Sequence, residues 1–221
     1  MEDTKQAASR FLASTLTDLD RAFLVDFATQ PRLRHRATGD LMDLLQSFKG
    51  MKADGRTALY DSILFSLLEF AEGPGRRALV LLTDGDDVGS HFGPNRVVRD
   101  GRRTGVPVYV IALDREGALS GGSLPATGPL SGGGRGSRGR GALSGASLLE
   151  VEAVTKETGG RLYPAKDLDD LSSAYAEINE ELRSQYLLTF YVQGDGAADS
   201  RDVEVKVRRK GVAARVVVSP R

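Results

Sequence analysis

Two short stretches carry the residues best suited to chemistry, Gly55-Arg56-Thr57 and Thr83-Asp84-Gly85. The first lies in a loop ahead of an expected helix, the second at the carboxyl end of an expected buried strand. Both therefore fall on one rim of an open α/β sheet, where ligands of such sheets bind. A hydroxyl from Thr57 and a carboxylate from Asp84 are hard oxygen donors, suited to Mg2+, Mn2+ or Ca2+ and poorly suited to soft metals. The same residues have a plainer reading: Thr57 caps its helix, and Asp-Gly makes an ordinary turn. Asp86, Asp87 and His91 follow closely and are candidates for further ligands or for contact with a partner, against the alternative of a solvated acidic turn.

Other chemistry is poorly supported. The chain has two histidines and no cysteine, which removes thiol catalysis, disulfides and cysteine-ligated zinc. No Ser-His-Asp or Cys-His arrangement is suggested by spacing. A carboxylate-based hydrolase on Asp84, Asp86 and Asp87 lacks a nucleophile-base pair, so the expectation is a protein that is not an enzyme. Gly134-Arg135-Gly136-Ser137-Arg138-Gly139 satisfies G-x-G-x-x-G, but it sits in a low-complexity tract that no strand immediately precedes, so dinucleotide binding is not expected. The tract also has no aromatic residues to stack on RNA bases.

The elements that must position Thr57 and Asp84 follow from apolar periodicity. Ala8, Phe11, Leu12 and Leu16 recur at helical spacing, so the segment from Asp3 to Leu16 reads as an amphipathic helix. Ala22 to Phe27 is nearly continuous apolar sequence ahead of Pro31, a strand expected to be buried on both faces. A short strand at Leu33 to Ala37 follows. Thr38-Gly39-Asp40 can cap a helix whose stripe is Leu41, Leu44, Leu45 and Phe48. A helix on Ile63, Leu64, Leu67, Leu68 and Ala71 leads to the strongest strand, Ala78 to Thr83. Pro94 to Thr104 reads as a surface helix, Val106 to Leu113 as a strand, Ser147 to Thr158 as a helix, a short strand follows Gly160, and Leu168 to Leu182 reads as a final helix. This alternation predicts a doubly wound, mostly parallel sheet with helices on both faces. Residues 114–146 are rich in Gly, Ser and Arg and read as a flexible surface insertion. Beyond residue 185, segments Tyr186 to Val192, Val203 to Val207 and Val212 to Val218 read as strands, the last two as an antiparallel hairpin. The expected organisation is thus one α/β domain over 1–185 with a β extension over 186–221.

At 221 residues, 40% of them hydrophobic and 27% charged, the chain can bury a sizeable core. Its formal net charge of zero argues against a surface built for nucleic acid. The start lacks the basic and apolar regions of a leader, and no apolar run is long enough to span a bilayer.

The ordered succession Lys5-Gln6-Ala7-Ala8-Ser9-Arg10-Phe11-Leu12, Asp20-Arg21-Ala22-Phe23-Leu24-Val25-Asp26-Phe27, Gly55-Arg56-Thr57-Ala58-Leu59-Tyr60-Asp61 and Ala78-Leu79-Val80-Leu81-Leu82-Thr83-Asp84-Gly85 resembles von Willebrand factor A domains, in particular the VWFA-related proteins of bacteria. The resemblance covers roughly Thr4 to Leu182, and Gln185-Tyr186-Leu187-Leu188 resembles the tail of the bacterial group. It implies a Rossmann-like fold and a metal-ion-dependent adhesion site built from three loops: an Asp-x-Ser-x-Ser after the first strand, a threonine, and an aspartate. It also implies a protein ligand that completes the ion with a carboxylate, and an exported or envelope location. Thr57 and Asp84 match the second and third loops; the first has no match, and Asp3-Thr4 lacks the preceding strand and the serines. Two expectations follow. A magnesium-like ion would bind weakly or not at all on two ligands. The sheet would lack its usual first, central strand, leaving a slot of roughly 9.5 Å between the strands at Ala22 to Phe27 and Ala78 to Thr83. A start upstream of Met1 would restore both. The alternative is a metal-free structural or assembly domain, in which the insertion or the C-terminal strands make the contacts.

Overall fold

Local capping and stripe patterns set the helices, and a computed structural model of the chain describes residues 2–51, 56–70, 75–83, 87–113, 145–186 and 207–208. Helix α1 spans Glu2–Thr15 and is followed by strands β1 (Ala22–Phe27) and β2 (Pro31–Thr38). Asp40 caps α2 (Leu41–Ser47), its carboxylate accepting from the amides of Met42 at 2.8 Å and Asp43 at 3.2 Å. Helix α3 (Leu59–Glu69) precedes β3 (Leu79–Thr83), α4 (Pro94–Thr104) and β4 (Val108–Leu113). Pro94 opens α4 at a position that needs no amide hydrogen. Gly105 ends it in the left-handed conformation (φ 63°), its amide bonding the carbonyl of Gly101. Helix α5 (Gly145–Thr158), β5 (Leu162–Ala165) and α6 (Leu168–Ser184) complete the described elements, with Asp167 capping α6 through Asp169 and Asp170. Among the described residues no helix is long and apolar enough to cross a membrane.

Strands β3, β4 and β5 form a parallel sheet in that order, with Leu79 opposite Val108 and Val110 opposite Leu162. Central β4 is buried on both faces. Val108 and Val110 point into a cluster with Leu59 and Ile63 of α3, Val97 of α4 and Val151 of α5. Tyr109 and Ile111 point the other way, toward Ala7 of α1 and Leu171, Tyr175 and Ile178 of α6. Helices therefore cover both faces, as continuous apolar strands require. Phe11 and Tyr175 stack with centroids 4.6 Å apart, joining α1 to α6.

The sheet is split. Strands β1 and β2 pair antiparallel as a separate two-stranded unit, and neither β1 nor β3 pairs with a further strand on its other edge among the described residues. A cavity of about 890 Å³ lies between them, bordered by β1, β3, α1 and α6. This corrects the expectation that Ala22 to Phe27 is buried on both faces: all six residues are only half-buried. The apolar run is right for a central strand, but among the described residues β1 has a strand neighbour, β2, on one side alone.

Smaller differences have local causes. Gly145 and Ala146, expected in the insertion, belong to α5. Strand β2 begins at Pro31 itself, which an edge strand tolerates because its amide is not needed in the ladder. The remainder of the insertion and the C-terminal strands lie outside the described residues, apart from Tyr186, Val207 and Arg208.

Candidate metal rim

Three hydrogen-bonded clasps place Thr57 on the carboxyl rim. The amide of Ala58 donates to the carbonyl of Ala28, one residue past β1, at 2.8 Å. The carbonyl of Thr57 accepts from the amides of Val88 at 2.9 Å and Gly89 at 3.1 Å, just beyond β3. The Arg56 guanidinium donates to the carbonyl of Val88 at 2.6 Å. The ends of β1 and β3 therefore sit on one rim, with Thr57 between them.

Asp87, expected as a candidate ligand or partner contact, has a visible task. Its Oδ1 accepts from the amides of Leu59 at 2.8 Å and Tyr60 at 3.4 Å and from the Ser90 hydroxyl at 2.5 Å. Helix α3 is thus capped from a distant loop, because its own N-cap residue, Ala58, has no side-chain oxygen. Thr57 does not cap α3, and its hydroxyl makes no hydrogen bond among the described residues. The plainer reading of Thr57 is thereby removed.

Asp61 fixes the far side of the same loop. Its carboxylate accepts from the amides of His91 and Phe92, each at 3.0 Å, and its Oδ2 lies 2.8 Å from the His91 ring. Burial, the largest single influence, pushes the Asp61 carboxyl up, but the two amides and the His91 ring together outweigh it and hold it below 3.8. A carboxyl depressed on folding stabilises the fold above its unfolded value, and that contribution is lost as pH falls through its folded value. Urea midpoints followed from pH ~5 to ~2 should therefore decline less steeply in Asp61→Asn than in the parent chain. Equal slopes would remove Asp61 from the acid response. His91 itself is 78% exposed at the side chain, with Nδ1 of its ring against Asp61.

Of the residues singled out from sequence, Thr57, Asp87 and His91 meet around one rim, while Asp84 and Asp86 lie outside the described residues, immediately after Thr83 at the end of β3. Ser90 and Asp61 were not anticipated. The signal for Ser90 was its spacing of three from Asp87, a common turn arrangement; the signal for Asp61 was an acid in the first turn of α3. The donor set suits a hard divalent ion in kind but falls short in number. No group of three or more His, Asp or Glu side chains able to hold an ion occurs among the described residues, and Oδ1 of Asp87 is already engaged.

No family model matches the sequence, and no curated protein sequence is similar to it. Solved structures do match its fold. A von Willebrand factor type A protein from Catenulispora acidiphila superposes with a TM-score of 0.61 at 14% identity, over 82% of this chain and 38% of that one. The present chain thus spans well under half of that protein. Proximal thread matrix protein 1 from the mussel byssus, with a zinc-occupied MIDAS motif, gives 0.58 at 16% identity, over 81% of this chain and 40% of that one. The vWF domain of the type V pili tip protein Mfa5 from Porphyromonas gingivalis gives 0.57 at 10% identity, over 85% and 90%. The order of elements, the parallel sheet with helices on both faces and these likenesses agree: the chain has the fold of a von Willebrand factor type A domain.

Proposed function

We propose that the chain is a non-enzymatic protein-binding module whose carboxyl rim holds a hard divalent ion through Thr57 and Asp84 and presents it to a carboxylate on a partner protein. The observation that carries this reading is the Thr57 hydroxyl, positioned on the rim by clasps to both neighbouring loops while Asp87 takes over the capping of α3. Such an ion would supply positive charge for the partner's carboxylate. Asp86 and the exposed His91 border that position in sequence and are the candidate partner contacts; Asp87 acts as a positioning residue. The mussel protein's zinc-occupied motif supports a divalent ion on this fold.

Two protein oxygens imply weak binding, with a dissociation constant on the order of a millimolar or above. The probe is Mn2+ alone, added to the 221-residue chain. Mn2+ should raise the melting temperature of the parent chain, and Thr57→Ala and Asp84→Ala should each abolish the rise. A rise that survives both substitutions, or none in the parent chain, would leave a metal-free assembly domain as the better reading.

A further inference from the structure

We propose that the partner segment which brings its carboxylate to the rim is acidic and carries an apolar side chain close to that carboxylate, and that this side chain packs on a ridge formed by Val88 and Phe92 beside Arg96. The proposal rests on the reading of the rim as an ion site and adds to it a second contact that needs no ion.

The loop over residues 87–92 is pinned along its whole length, yet it leaves its apolar side chains in water. Asp87 holds the amides of Leu59 and Tyr60, and the amides of Val88 and Gly89 hold the carbonyl of Thr57. The Ser90 hydroxyl accepts from the Asp61 amide at 3.0 Å, and the amides of His91 and Phe92 donate to the Asp61 carboxylate. Every residue of the loop is thus tied to the stretch from Thr57 to Asp61. Val88 nevertheless stays 53% exposed and Phe92 49% exposed, and neither joins the two core clusters of the described residues. A backbone already ordered loses little further freedom when a partner docks, so apolar surface held in this way is used for binding at low entropic cost.

Charge sets the sign of the partner. Among the described residues, the carboxylates bonded to the loop, Asp61 and Asp87, are both engaged by main-chain amides. Asp100 accepts from Arg96 at 2.6 Å and from Arg99 at 3.2 Å, so two exposed guanidinium groups share one less exposed carboxylate. The Arg56 guanidinium donates to the carbonyl of Val88, a neutral acceptor. The cations are therefore displayed and the acids withdrawn, which favours an acidic segment over a basic one. Cζ of Arg96 lies 5.2 Å from the centroid of the Phe92 ring, pairing an aromatic with a cation, the residue types enriched among those that dominate binding energy. The ridge starts at the rim itself, because the Val88 amide bonds Thr57, and it ends at Phe92, which is bonded to Asp61 in the first turn of α3. One helical turn rises about 5.4 Å. Two or three extended residues, at about 3.3 Å each, cover that span, so the apolar side chain belongs within about three positions of the carboxylate.

Random linear peptides displayed on phage and selected on the 221-residue chain in Mn2+ are the probe. Selected sequences should carry Asp or Glu with Phe, Tyr, Leu or Ile within about three positions. A synthetic peptide of the selected sequence should bind Phe92→Ala about tenfold more weakly than the parent chain, and Phe92→Leu, which stays apolar, should keep most of the affinity. Phe92→Ala should retain the rise in melting temperature with Mn2+ alone, since Phe92 holds no ion, whereas Asp84→Ala should lose both that rise and the preference for an acid. Selected peptides with an acid but no apolar preference, or equal affinity for Phe92→Ala and the parent chain, overturn the ridge while leaving the ion reading in place. Selection of acidic, apolar peptides that is unchanged by chelator and by Asp84→Ala, yet weakened by Phe92→Ala, overturns the ion reading and keeps the ridge. Selected peptides without acids, or no enrichment over a surface lacking the chain, overturn the proposal outright.

Discussion

Gly160→Ala is expected to lower stability by about 3 kcal/mol or more, at or beyond the top of the range for overpacking a core. A Cβ at Gly160 would stand 2.0 Å from the Val108 carbonyl oxygen, 2.4 Å from its carbon and 2.9 Å from its nitrogen. These are main-chain atoms of the central strand, so no side chain can swing aside to make room. The turn is held on both sides of the contact: the Gly160 amide donates to the carbonyl of Thr155 at 2.8 Å, and Val108's amide donates to the Thr158 hydroxyl at 3.3 Å. Relief requires β4 to part from the α5–β5 turn, which breaks the ladder beginning at Val110 and Leu162. For a chain of this size the melting temperature should fall by roughly 6–12 °C. Gly50→Ala is the matched control, because a Cβ there meets nothing within 4 Å, and it should stay within about 0.5 kcal/mol of the parent. Urea melts followed by far-UV circular dichroism measure both. A Gly160→Ala midpoint equal to that of Gly50→Ala would mean the close approach relaxes without cost.

The contrast between these glycines also marks what sequence can and cannot display. Helix α4 was legible to its ends, Pro94–Thr104, because its punctuation is local: a proline at the first turn and a glycine past the last. Strands β3 and β4 were legible as uninterrupted apolar runs. Helix α3 is legible from its stripe at Ile63, Leu64 and Leu67, but the expected cap, Thr57, does not hold its first turn at Leu59. That turn is stabilised by Asp87, which a local pattern cannot reveal. The half-burial of β1 was hidden for a related reason, since an apolar run records the environment a strand is suited to, not whether its neighbour is present. At the rim, Thr57 was recognisable as a motif residue, but that its hydroxyl is spared from capping depends on the carboxylate of a loop 30 positions downstream. The Asp61 clasp on His91 and Phe92 is long-range in the same sense.

Asp87→Ala is expected to cost about 2 kcal/mol, toward the upper end for loss of a helix cap. Helix α3 enters the core at once, with Leu59, Tyr60 and Ile63 all buried, so its first turn cannot fray into water to satisfy the amides of Leu59 and Tyr60. Leaving them without an acceptor adds a desolvation penalty to the lost bonds. The melting temperature should drop by roughly 4–8 °C. Asp87→Asn keeps an acceptor oxygen at the same distance and should recover most of the loss, short of the few tenths of a kcal/mol that a negative charge contributes at a helix N-terminus. The pair of variants also bears on the rim. The residues that clasp the Thr57 carbonyl, Val88 and Gly89, directly follow Asp87, so the alanine variant should release Thr57 and lose the Mn2+-induced stabilisation although Asp87 binds no ion in the proposed reading. The asparagine variant should retain it. If Asp87→Asn instead keeps the parent melting temperature but loses the response to Mn2+, the carboxylate is itself a ligand, and the assignment of Asp87 as a positioning residue fails.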